Sequence, residues 1–151
     1  MPREALGHGG RTMAPATGPY VNAAYFCRPR LLPNGQYAVP PDNWLGAVDQ
    51  RGDSPDMPAL PFRAALFLMF RSGLARGRVN IAVVGEGPDG SRMAPVSLVL
   101  ICPDEERPLV RFLDLELCLE LPGVYWFSVL VGEQLLTRVP LRVRYLPVGR
   151  G

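Results

Sequence analysis

From Tyr20 onward the chain alternates short apolar runs with proline and glycine punctuation. Runs of four to twelve residues rich in Val, Leu, Phe and Tyr, bounded by turn-forming residues, are the signature of β-strands in a sandwich or barrel. The pattern predicts strands at Tyr20–Cys27, Gly35–Val39, Phe62–Arg71, Arg78–Gly85, Val96–Cys102, Val110–Leu121, Val124–Val131 and Leu135–Tyr145. Pro40 to Pro61 holds five prolines and reads as one long loop, where mobility is expected to concentrate. No helix of ordinary length fits anywhere, because Pro103 and Pro108 confine the one acidic stretch, Asp104 to Glu106, that would start one.

Period-two alternation is clearest in the last third. Leu113, Leu115, Leu117, Leu119 and Leu121 alternate with Asp114, Glu116 and Glu120, so the leucines share one face and the acids the other. Tyr125, Phe127, Val129 and Val131 form a second apolar row. In the final strand Leu135, Thr137, Val139, Leu141, Val143 and Tyr145 face one way, and Leu136, Arg138, Pro140, Arg142 and Arg144 the other. Turn chemistry and register disagree between these last two strands. Gly132-Glu133 suits a two-residue hairpin loop, which would set Phe127 opposite Arg138. A three-residue loop, Gly132 to Gln134, sets Val131 against Leu135, Phe127 against Val139 and Tyr125 against Leu141. A one-residue slip turns a whole strand over, so burial is given precedence and the three-residue loop is expected. Pro140 has no amide to donate and predicts an edge strand or a bulge, its neighbouring arginines discouraging edge-to-edge association.

Leu121-Pro122-Gly123-Val124-Tyr125 resembles the corner between the fifth and sixth strands of immunoglobulin-like and fibronectin type III domains. That resemblance implies a Tyr125 hydroxyl bonded back to nearby upstream backbone, with the leucine row and the Tyr125 row on opposite sheets of one core. A buried tyrosine in an ordinary Pro-Gly turn is the alternative. The expected class is an all-β, immunoglobulin-like sandwich of seven to eight mostly antiparallel strands over residues 20–146, with a disordered segment at 1–19 and a flexible tail at 147–151. Over Ala23 to Val143 the chain also resembles a domain-of-unknown-function family of small bacterial β-sandwich proteins. The matching stretches are Ala23-Ala24-Tyr25-Phe26-Cys27, Asn34-Gly35-Gln36, Pro88-Asp89-Gly90, Gly123-Val124-Tyr125-Trp126-Phe127 and Val139-Pro140-Leu141-Arg142-Val143. The Pro-rich loop departs from that pattern. The resemblance implies no established activity and carries over no functional residue.

A chain of 151 residues fits one domain, which at this size buries roughly two-thirds of its unfolded surface without metal or disulfide support. The net charge of +2 gives no electrostatic footprint for nucleic acid. Trp126 with Arg138, Arg142 and Arg144 could stack single strands, but cross-strand ion pairing with neighbouring acids is the stronger reading. Every basic residue is arginine, so any basic site would use forked donors. Cys27, Cys102 and Cys118 lack paired spacing, which favours free thiols over a zinc site, with a Cys102–Cys118 bridge as the minority alternative.

The single histidine, His8, lies in the N-terminal segment, so histidine-based nucleophilic or metal chemistry has no ligand set. The strand acids are read as a solvated polar face rather than a catalytic pair. Gly85 to Gly90 lacks the Lys-Ser/Thr of a phosphate loop and is read as a turn. No catalytic residue, cofactor or metal is therefore expected. Residues 1–20 carry no signal-peptide core, and Ala64–Phe70 is too short to cross a bilayer, so a cytoplasmic location without membrane association is expected, with Met1 and Met13 both open as the start.

Three functional expectations follow. The first is a non-catalytic binding or structural module of a bacterial cytoplasmic protein, docking a protein partner through Trp126, Leu130 and Leu136 on an outer sheet face, with self-association left open. The second is an exported adhesion protein using Arg51, Gly52 and Asp53 in the long loop. The third is an enzyme dependent on a partner chain or cofactor.

Overall fold

The computed structural model describes residues 17–28, 30–36, 38 and 44–148. Eight strands follow in chain order: β1 (Tyr20–Cys27), β2 (Ala47–Gly52), β3 (Leu60–Arg71), β4 (Gly77–Glu86), β5 (Val96–Cys102), β6 (Pro108–Leu119), β7 (Gly123–Val131) and β8 (Gln134–Pro147). They form two sheets, the first in the order β1-β3-β6 and the second in the order β2-β8-β7-β4-β5. All pairings are antiparallel except β2 with β8. No helix occurs among the described residues. The protein is an all-β sandwich of immunoglobulin-like architecture.

The two apolar rows read from the sequence do face each other across the core. Leu115 and Leu119 point in from β6 of the first sheet, and Tyr125, Phe127 and Val129 from β7 of the second, all of them buried. Leu121 lies past the end of β6 and is exposed. Val139, Leu141 and Val143 complete the inward row of β8. Strand β3 runs through seven consecutive apolar residues, Ala64 to Phe70, because it is the middle strand of its sheet and is covered on both faces. Ala64, Leu66, Leu68 and Phe70 join the main core. Ala65 and Phe67 form a second cluster on the outer face with Cys27, packed by Ala23, Met69 and Phe112.

The corner at Tyr125 is a tyrosine corner. Its hydroxyl donates to the Leu121 carbonyl at 2.8 Å and accepts from the Leu121 amide at 3.0 Å. Gly123 holds a φ of 133°, and a Cβ there would come within 2.8 Å of Pro88, so the turn needs glycine on both counts.

The β7–β8 hairpin corrects the expected loop. Val131 pairs with Gln134, so the connection is the two-residue Gly132-Glu133, with a positive φ of 59° at Gly132. The interior register is nevertheless the one burial demanded, Phe127 against Val139 and Tyr125 against Leu141. A bulge reconciles the two. Leu130 pairs with Leu135 but Val129 with Thr137, and Leu136 is the extra residue. Local turn preference set the tip, and core burial set everything beyond the bulge.

Three further expectations need correction. Gly35–Val39 is not a strand where it is described: Gly35 and Gln36 sit in a turn closed by the Gly35 amide on the Leu32 carbonyl and by the Gln36 amide on Asn34 Oδ1, while Tyr37 and Val39 lie outside the described residues. The long loop contains strand β2, pairing parallel to β8 from Ala47–Arg142 to Gly52–Pro147. The last strand is consequently interior to its sheet rather than an edge. Pro140 is tolerated because it stands opposite Trp126 of β7, before the ladder to β2 begins at Arg142. The ladder also extends through Leu146 and Pro147, which sequence reading assigned partly to a flexible tail. His8 and most of the expected disordered segment lie outside the described residues.

Candidate functional site

Trp126 sits on the outer face of the five-stranded sheet because it alternates with the buried Tyr125 and Phe127 on β7. Its cross-strand neighbours are Glu86 on β4 and Pro140 on β8. Its indole remains 37% exposed, and the Arg138 guanidinium carbon lies 4.6 Å from the ring centroid. A cation over an exposed tryptophan contributes about 0.5–1 kcal/mol, which biases both side chains toward this stacked arrangement.

Leu130 faces the same side two pleats further along β7, between the core residues Val129 and Val131. Its register partners are Ala82 on β4 and Leu135 on β8. Leu136 does not join them. As the bulged residue it packs against the main core, and Leu135 takes the place expected of Leu136 on the outer face. The structure thus brings Trp126 and Leu130 onto one face and removes Leu136 from it. Sequence reading missed Leu135 because strict alternation, unbroken by a bulge, points it inward.

The outer arginines divide their roles. Arg144 donates from Nε and Nη2 to the two carboxylate oxygens of Asp49 at 2.6 and 3.0 Å, a forked cross-strand pair tying β2 to β8. The paired carboxylate holds the Arg144 guanidinium above its usual value. At the far end of the sandwich Arg71 makes a similar forked pair with Glu106, and that hydrogen bond holds the Glu106 carboxyl below the ordinary carboxylate range. Beside it the fully buried Ser72 exchanges hydrogen bonds with the Arg107 backbone, fastening the β3–β4 turn to the start of β6.

Arg51, Gly52 and Asp53 do not form a free loop. Arg51 and Gly52 belong to β2, paired with Leu146 and Pro147, and the exposed Asp53 follows directly. The Val148 amide donates to the Gly52 carbonyl at 2.7 Å, and the Tyr145 hydroxyl to that of Ser54 at 2.6 Å. Any Cβ at position 52 would meet the Tyr145 oxygen at 2.6 Å. The arginine end of the tripeptide is locked in a ladder, which removes the loop geometry on which the adhesion expectation rested.

All three cysteines are free, with Cys27 and Cys102 buried and Cys118 exposed. Burial pushes the Cys27 and Cys102 thiols up, at Cys102 against the opposing charges of Arg76 and Arg111. The expected result of alkylation at pH 8 is one rapidly modified thiol, Cys118, with the other two reacting only in denaturant. Mass mapping of the adducts checks this, and early labelling at Cys27 would contradict the burial assigned to it.

Cys118 lies where three clefts meet. The first, about 350 Å³, opens between β6 and the approach to β5, with the buried Val83, Leu115 and Phe127 among its lining residues. Gly85 in its wall has no room for a side chain, since a Cβ would come within 2.7 Å of Phe127 and of Met93 Sδ. Among the described residues no group of three or more His, Cys, Asp or Glu side chains is placed to hold a metal ion.

The sheet order together with the tyrosine corner defines the class as an immunoglobulin-like sandwich. The chain is similar to an immunoglobulin-like protein from Pseudomonas aeruginosa at 14% identity and a TM-score of 0.48, over 86% of this chain and 100% of that one. No protein-family model matches the chain, and no curated protein does.

Proposed function

We propose that this chain is a non-catalytic protein-binding module whose docking face is the outer side of the five-stranded sheet around Trp126, Leu130 and Leu135. The observation that carries the reading is the exposed Trp126 indole, held in place by Arg138 on a face that continues into the paired leucines. Tryptophan and arginine are over-represented among residues that dominate binding energy, and a side chain ordered before binding loses less entropy on docking. The resemblance to small bacterial β-sandwich proteins is the ground for placing this activity in a bacterium.

Affinity capture from source-cell lysate with the wild-type chain, Trp126→Ala and Leu130→Arg tests the face. At least one captured protein is expected to fall about tenfold in both variants, the loss that follows from about 1.4 kcal/mol of binding energy. Identical partner lists for all three chains would remove this surface from consideration. Light scattering on the same samples shows whether the captured partner is a second copy.

A further inference from the structure

We infer that two copies of this chain pair through the outer edge of β5, antiparallel about a two-fold axis at Val99, so that their five-stranded sheets join into one continuous sheet. β5 is the end strand of its sheet, with β4 along one side and, among the described residues, no strand along the other. Open edges are ordinarily blunted by charge, proline or a bulge. The other end strands carry such devices: Asp49 and Arg51 on β2, a bulge between Val21 and Ala23 on β1, and Arg111, Asp114 and Glu116 on β6. β5 reads Val-Ser-Leu-Val-Leu-Ile-Cys, with no charge, no proline, no glycine and an unbroken register to β4. Ile101 stands 54% exposed on its outer face. A segment of that composition at an edge draws in another strand.

What bounds the strand selects a second copy. Pro95 and Pro103 flank β5 at equal distance from Val99. With the axis at Val99 the strand meets itself as Val99 with Val99, Leu98 with Leu100, Ser97 with Ile101 and Val96 with Cys102. The two prolines then oppose each other just beyond the ladder, where no amide is needed. Moving the axis to Leu98 or Leu100 sets a proline opposite a strand residue. Every pair also shares a face. Leu100 and Cys102 lie in the main core and Val96 and Leu98 pack against it, so inward side chains meet inward ones across the axis.

Charge agrees at both ends. Beyond Pro95 the chain keeps to the line of β5, because Arg92 bridges to Glu86 at the end of β4. Beyond Pro103 it is held by Arg76, whose Nε donates to the Asp104 carbonyl at 2.8 Å. Arg92 and Asp104 are exposed, and neither makes an ion pair among the described residues, whereas Glu105 and Glu106 are taken by Arg107 and Arg71. The length of β5, roughly 20 Å of strand, keeps the two apart within one chain. In the antiparallel pair Arg92 of one copy arrives diagonally across from Asp104 of the other, a separation that long side chains bridge. The symmetry repeats this contact at the opposite end.

The edge shares no residue with the Trp126 face. Sedimentation equilibrium on the full chain tests it. One strand edge is a small interface, so the apparent mass is expected to rise from that of one chain at about 1 µM to that of two at about 300 µM. Amide exchange should show protection of β5 that grows with concentration. Val99→Lys, which sets two lysines against each other on the axis, is expected to weaken association at least about tenfold while keeping the urea transition. Arg92→Asp and Asp104→Arg are each expected to weaken it about threefold or more, and the two together to restore it. That restoration cannot come from a repaired fold, because the positions do not meet within a chain. A chain still monomeric at about 300 µM, indifference to Val99→Lys, a double variant no better than the single ones, or loss of the dimer in Trp126→Ala would each overturn the proposal.

Discussion

Deleting Ser128 will abolish the fold, whereas deleting Leu136 will leave it standing. The two residues lie on neighbouring strands of the same hairpin, and only the bulge separates their fates. Removing Leu136 erases the bulge and leaves Val131 opposite Gln134, Val129 opposite Thr137 and Phe127 opposite Val139, the pairs already present. The expected cost is the partial burial of one leucine, about 1–2 kcal/mol. Removing Ser128 slides half of β7 by one residue against β4 and β8 together, since Ser128 pairs with Val84 on one side and Arg138 on the other. Either Val129 or Phe127, both fully interior, must then turn outward. Urea unfolding followed by tryptophan fluorescence distinguishes them: a cooperative transition for the Leu136 deletion, none for the Ser128 deletion. Loss of the transition in both would show that the bulge is itself required.

Phe127→Ala is expected to cost about 3–5 kcal/mol, against total stabilities of about 5–15 kcal/mol for domains of this kind. The ring meets Phe26 of the opposite sheet edge-on, with centroids 4.9 Å apart and planes at 70°, and it covers Gly85 of the adjacent strand. On the Gly85 side there is no side chain to move into the gap. The urea midpoint should fall with an unchanged slope, and a shift worth less than about 1 kcal/mol would mean that the core relaxes into the space.

Most of the sandwich was legible because its burial is periodic. The leucine row of β6 and the Tyr125 row of β7 alternate cleanly, and β1 and β5 match their expected bounds residue for residue. Strand β2 was not legible. Ala47-Val48-Asp49-Gln50-Arg51-Gly52 buries only Val48 deeply, and it is a strand because β8, some 95 residues later, supplies its ladder and the Arg144–Asp49 pair. Such a segment carries no local pattern of its own. The candidate face was legible in part: alternation alone placed Trp126 and Leu130 outside, but the bulge exchanged Leu136 for Leu135. The clefts at the side of the sandwich follow from the order of strands, which no single stretch of chain encodes.

The parallel pairing of β2 with β8 bears on how the molecule would respond to being stretched. Thr17 receives the Leu74 amide at the end where β3 finishes, and Val148 leaves at the opposite end, beside Gly52. Tension between these points runs along the strands, dragging β8 one way and, once β1 has parted from β3, β2 the other. Their ladder is then sheared, so its hydrogen bonds resist together instead of parting one after another as in an unzipped hairpin. Rupture under such a load is a matter of the unfolding rate rather than of equilibrium stability, and six residue pairs of a strand with almost no hydrophobic pattern would bear part of it.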